Sequence, residues 1–245
     1  PVYRNTETTY FPSGEAKFAE LLRQLEKAKQ YIFLEYFIID EGLMWGRVLE
    51  VLARKAAEGV HVRVMYDGTC EFSTLPRDYP RRLEALGIRC KVFAPVTPFV
   101  STHYNYRDHR KILVVDGRVG FTGGVNLADE YINHVEKYGR WKDAAVMLEG
   151  EGVRTMTALF LQMWSIQREP EFAQFLVDDE VFQKNVLGGA FQLGQQRGKL
   201  GLSAGEIGHL RVFVHREAAA PSAQILRQRG RAGAVRVQRR ARLFV

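Results

Sequence analysis

Residues 109–126, HRKILVVDGRVGFTGGVN, leave little freedom in how this chain folds. Ile112, Leu113, Val114 and Val115 form an unbroken apolar run, which suits a fully buried strand. Asp116-Gly117 then reads as a turn, and residues 119–122 as the return strand. His109 and Lys111 are two residues apart, so on an extended chain both point to one face. Gly123-Gly124 removes side-chain bulk beside that face, and Asn126 adds an amide. The segment predicts a strand pair that gathers a nucleophile-capable imidazole, a fixed cation and an amide donor where backbone can approach closely.

The flanks alternate between helical and extended patterns. Phe18, Leu21, Leu22 and Leu25 follow helical spacing, with Ser13 as N-cap. Residues 30–39 are apolar and β-rich. Trp45, Val48, Leu49, Leu52 and Ala56 form a second helical stripe that Gly59 ends. Residues 60–66 alternate as a strand, 79–86 form a short helix, and 88–94 and 141–148 form further strands. Met156, Leu159, Phe160 and Met163 mark a last helix. Such alternation argues for an α/β architecture with helices packed on a sheet.

The spacing H-x-K-x4-D-x6-G-G-x-N resembles the motif of the phospholipase D superfamily, with neither gap nor substitution. The stretches TETTYFPSGEAKF, YIFLEYFIIDEGLMW, VRVMYDG, RDHRKILVVDG, GFTGGVNLADEYIN and WKDAAVMLEGEGV resemble bacterial cardiolipin synthases. The resemblance covers roughly residues 5–168. It implies a phospholipase D-like sandwich, a central mixed β-sheet flanked by helices on both faces. It also implies phosphodiester chemistry with imidazole in place of a metal ion, and no cofactor. A histidine Nε2 attacks phosphorus and forms a phosphohistidine, which splits one high barrier into two lower ones. Here that histidine is His109. Asp143 is the candidate that holds its Nδ1–H and so fixes the tautomer. Lys111 and Asn126 donate to the non-bridging oxygens, whose charge grows in the transition state. Gly123 and Gly124 leave room for them. Asp116 is the third member of the motif by name, but its place at the far end of the strand suits a brace for the loop. The implied partners are phosphatidylglycerol and an anionic membrane surface; the implied products are cardiolipin and glycerol.

Other residues read more plainly. An isolated histidine is usually a surface or core residue, and His61, His103, His134, His209 and His215 lack the company that His109 has. Tyr104, Tyr106 and Arg107 either line a substrate entrance or form a solvated loop. Glu35 lies mid-strand, where a carboxylate is unexpected; either it faces the site or a neighbouring cation neutralises it. Cys70 and Cys90 are not in a ligand spacing, no acidic cluster resembles a two-metal site, and GFTGG lacks the Lys-Ser/Thr of a phosphate loop.

The net charge of +7 is unevenly placed. Residues 183–245 hold twelve basic side chains against Glu206 and Glu217, so the remainder is slightly acidic. The expected organisation is a first catalytic half over 1–170 and a basic tail over 171–245. The tail has three readings: a hold on anionic lipid, a nucleic-acid contact, or a non-native sequence after a lost reading frame. The last suits its lack of periodicity best. His215 is followed by Arg216-Glu217, so it does not open a second His-x-Lys motif. A chain that begins at Pro1 reads as a fragment, with the full-length protein expected at the bacterial cell membrane. The superfamily site takes two motifs, one histidine as nucleophile and one as general acid. One motif therefore implies a second half elsewhere or a homodimer. A homodimeric nuclease is the alternative enzyme, which the flanks make less favoured, and a passive lipid-binding half-domain is the non-enzyme reading.

Overall fold

In a computed structural model, residues 3–95, 107–166 and 172–175 are described. Seven strands form one sheet: β1 (Thr6–Phe11), β2 (Tyr31–Tyr36), β3 (His61–Asp67), β4 (Arg89–Phe93), β5 (Lys111–Val115), β6 (Val119–Gly123) and β7 (Ala145–Gly150). Their spatial order is β1-β7-β6-β5-β2-β3-β4. β2–β3 and β3–β4 are parallel pairs, and the other four are antiparallel. β2 and β5 lie at the centre, and every residue of both is buried. That is why their sequences are apolar on both faces rather than alternating, apart from Glu35 and Lys111.

Helices cover both faces. α1 (Gly14–Glu26) starts where the Ser13 hydroxyl accepts from the Ala16 amide, and α2 (Leu43–Ala57) lies beside it. With α3 (Cys70–Ser73) and α4 (Tyr79–Ala85) they pack Leu21, Leu25, Trp45, Val48, Leu52 and Leu83 on one face. α5 (Val153–Trp164) packs Met156, Phe160 and Trp164 against Phe33, Met65 and Val114 on the other. There Phe33 stacks on Phe160 at 4.6 Å, and the Arg63 guanidinium lies over the rings of Phe33, Trp164 and Phe175. α6 (Phe172–Phe175) adds Phe175 to the same cluster.

Several elements differ from the sequence reading. β1 is unanticipated: its TETTYF sequence is polar because it is an edge strand paired only with β7. A 3₁₀ turn at Asp129–Ile132 is also new. β7 begins at Ala145 and not at residue 141, because the Asn133 side chain holds both the amide and the carbonyl of Trp141 (2.7 and 3.0 Å). β3 is buried at six of its seven positions and not on alternate ones. The described residues fall within the first of two units, 1–188. His103, Tyr104, Tyr106, His209, His215 and nearly all of the 171–245 tail lie outside the described residues.

Candidate active site

The antiparallel β5–β6 pair carries the motif as a hairpin. Residues 107–110 lead into β5, and His109 is exposed at its mouth while Lys111 is 4% exposed beneath it. The Lys111 ammonium donates to the His109 carbonyl at 2.7 Å. It lies 3.1 Å from Nδ1 and 3.4 Å from Nε2 of the same residue. Near-equal distances place the ammonium across the ring rather than in line with either lone pair, so it does not select a tautomer. Phe37 packs beside both, with its ring centre 4.5 Å from that of the imidazole and 5.3 Å from Lys111 Nζ. Burial pushes the Lys111 pKa down to about 8, against the opposing pull of Asp143 and Asp108.

The two glycines seat Asp143. A Cβ on Gly124 would run into the Asp143 carboxylate, and one on Gly123 would press on the Ala144 carbonyl. Gly123 has φ +142°, which disfavours any side chain there. Among the described residues, Asp143 accepts from the Ala144 amide at 2.8 Å and makes no hydrogen bond to His109. Its carboxylate instead acts electrostatically on Lys111 and Lys17. Asn126 is buried, with Oδ1 accepting from the Ile38 amide (3.0 Å) and Nδ2 donating to the Tyr131 hydroxyl (2.8 Å). These bonds tie the segment after β6 to the end of β2 and hold the amide in place.

Asp116 is not brought to this group. It follows β5 at the turn with φ +51° and accepts from the amides of Lys29, Gln30 and Tyr31, each at 2.8 Å. It fastens the entry of β2 to the β5–β6 turn.

Two ionisable residues of the site went unassigned in the sequence. Lys17 is fully buried, and its ammonium donates to the Val125 carbonyl (3.0 Å) and the Tyr36 hydroxyl (3.2 Å). Burial lowers its pKa to about 7, with Asp143 opposing and Lys111 reinforcing. Its signal was its place four residues before Leu21, on the apolar stripe of α1. Asp108 is buried on the opposite face and accepts from Arg110 Nε at 2.8 Å. Glu35, paired in register with Ile112, lies 3.0 Å from the same Nε. A cation does stand beside Glu35, as one of its two readings had it, but it is a bound proton and not that cation that neutralises the carboxyl. One guanidinium cannot balance two buried carboxylates. Burial, and then Asp108, push Glu35 up to about 10, so it is neutral at pH 7. Burial alone would raise Asp108 as well, but the bonds from Glu35 and Arg110 outweigh it and keep its carboxyl low.

An open groove of about 520 Å³ borders His109, lined by Phe93, Arg107, Asp108, Arg110 and Met163. Among the described residues no three His, Cys, Asp or Glu side chains are grouped as metal ligands, and no helix is long and apolar enough to cross a membrane. Cys70 and Cys90 are free and buried.

Comparison with known proteins identifies the family and the fold. The family described as "Cardiolipin synthase, PLD-like domain" matches residues 21–164. A protein of Streptococcus mutans, described as uncharacterized, is 63% identical over 180 residues, covering 73% of this chain and 39% of that protein. A cardiolipin synthase of Geobacillus thermodenitrificans is 42% identical over 165 residues, covering 67% of this chain and 33% of its own length. The chain thus spans about a third of the length of the curated relatives it matches. Among solved structures, NucT from Helicobacter pylori superposes with a TM-score of 0.52 at 10% identity, covering 66% of this chain and 97% of NucT. At that identity the likeness is one of fold, and the fold is the α/β sandwich expected from the motif.

Proposed function

The chain belongs to the cardiolipin synthase, PLD-like domain family, and from that premise we propose that it forms one catalytic half of a phospholipid phosphatidyltransferase. His109 Nε2 attacks the phosphorus of one phosphatidylglycerol. The bond to the headgroup glycerol oxygen breaks, and glycerol leaves with a proton. A hydroxyl of a second phosphatidylglycerol then attacks the phosphatidyl-histidine, loses its proton and releases cardiolipin with free imidazole. The observation that carries this reading is the exposed His109 ring with the buried Lys111 ammonium 3.1 Å from it. A fixed buried cation beside a nucleophile serves a phosphoryl oxygen that gains charge in the transition state. Asn126 Nδ2, held by Tyr131, is the second donor of this reading. Asp143 serves by balancing the cations; for it to hold Nδ1–H, the ring must turn away from Lys111.

A leaving alcohol also needs a general acid. In this reading a second motif, on another segment or a second copy of the chain, supplies it. Residues 1–170 are the first half in this assignment, 171–245 are a basic tail, and the whole protein works at the bacterial membrane on anionic lipid. The test is trapping. The protein is incubated with phosphatidylglycerol carrying radiophosphorus in the diester, then denatured in base. Acid-labile, base-stable label on His109, absent from His109→Ala, is expected. Unlabelled protein that still binds vesicles would support a passive lipid-binding half-domain. A dimer that nicks plasmid DNA, with loss in His109→Ala, would support a nuclease and overturn this reading.

A further inference from the structure

Lys17 lies outside the matched family stretch, residues 21–164, and outside the motif, yet it is a fully buried lysine behind the site. Burying an ammonium is unfavourable unless it is well partnered. Its two bonds go to places that matter for the site. Val125 sits between Gly124 and Asn126, and Tyr36 is the register partner of Lys111 across β2 and β5. Lys17 also lies 5.0 Å from the centre of the Tyr36 ring. We infer that Lys17 is a positioning residue of the anion site at His109: it pins the Gly123–Asn126 segment to α1 and supplies a second buried positive charge that acts through Lys111 and Asp143. This rests on the proposed reading that a phosphoryl group binds at His109.

The charges around Lys17 are few. Asp143, before β7, attracts it and Lys111 of β5 repels it. From α2, Arg54, Lys55 and Arg47 are engaged with Glu26, Glu58 and Glu50 near the surface. Glu130 of the 3₁₀ turn faces Lys137, and Glu7 of β1 is exposed. Asp143 therefore faces both ammonium groups, while Asp108 acts on Lys111 alone. An arriving dianion draws protons onto both lysines, whose pKa values stand at about 7 and about 8 without it. Anion binding at neutral pH should accordingly take up protons and strengthen as pH falls.

Sulfate is the probe, since it stays dianionic throughout. Calorimetric titration in two buffers of different ionisation heat, at about pH 7.5, reads affinity and protons taken up together. Lys17→Met is expected to weaken sulfate about tenfold and to lower proton uptake, with an unchanged circular dichroism spectrum. Lys17→Arg, always charged, is expected to keep most of the affinity while flattening its pH dependence. Equal affinity and uptake in wild type and Lys17→Met, with binding lost in Lys111→Met, would overturn the role of Lys17 alone. Wild type that binds no sulfate would overturn the anion site and this inference with it. If Lys17→Met does not fold, Lys17→Arg decides: an unaltered pH dependence would overturn the inference.

Discussion

Asp116→Ala separates motif membership from chemistry. The carboxylate accepts three backbone amides at 2.8 Å, two exposed and one partly buried. A hydrogen bond to a charged group contributes about 1.5–3 kcal/mol. Three from one carboxylate do not add fully, and water can reach two of the freed amides, so about 2–4 kcal/mol is the expected loss. Ala also fits φ +51° less well than Asp does. For a domain of this size about 1 kcal/mol shifts the melting temperature by roughly 2–4 °C. Asp116→Ala should therefore melt roughly 4–16 °C lower, by the same conversion. Asp116→Asn keeps one acceptor and tolerates the left-handed region, so it should lose less than half as much. Thermal and urea unfolding measure both. Below the transition, sulfate affinity and His109 labelling should match wild type. Wild-type stability in Asp116→Ala, or normal stability with lost labelling, would refute the bracing argument and return Asp116 to the chemistry.

Gly124→Ala should destabilise by about 1–3 kcal/mol in urea unfolding, since its methyl meets the Asp143 carboxylate, and adding Asp143→Ala should recover most of that. Glu35 carries its proton in the folded chain up to about pH 10 but loses it near 4.5 when unfolded, so it lowers stability progressively as pH rises between those values. Glu35→Gln should remove that slope and gain about 1–2 kcal/mol at pH 8 over wild type in urea titrations. Parallel curves for the two would refute a neutral Glu35. Lys17 and Lys111 have lowered pKa values and act in the opposite sense, regaining stability as pH rises through about 7 and about 8 toward the value of free lysine. Lys17→Met should therefore be relatively most stable, against wild type, at the acid end of that window in the same titrations.

How much could be read beforehand depended on whether a residue's constraint was local. The β5–β6 hairpin was legible because an apolar run, Asp-Gly and a fixed His-x-Lys interval are all local signals. α1 was legible from Ser13 and its stripe. β1 was not, since TETTYF gains its strand conformation from Met147 and its neighbours, more than 130 residues away. The start of β7 depends on Asn133 reaching Trp141, another tertiary bond. Asp143 was placed by motif logic on His109, but the geometry that counts is the space above Gly124, which only the folded chain displays. Lys17 was overlooked because a lysine on an apolar stripe reads as a surface residue whose stem covers the core.

The pairing of β1 with β7 has a consequence for synthesis. At roughly 5–20 residues per second, the ribosome leaves β1 without its partner for on the order of ten seconds, until residues 145–150 emerge. An apolar strand kept waiting that long would invite aggregation; Thr6, Glu7, Thr8 and Thr9 make the wait harmless. The sheet can therefore close last at its outer edge, after the central strands and the hairpin that bears His109 have already assembled.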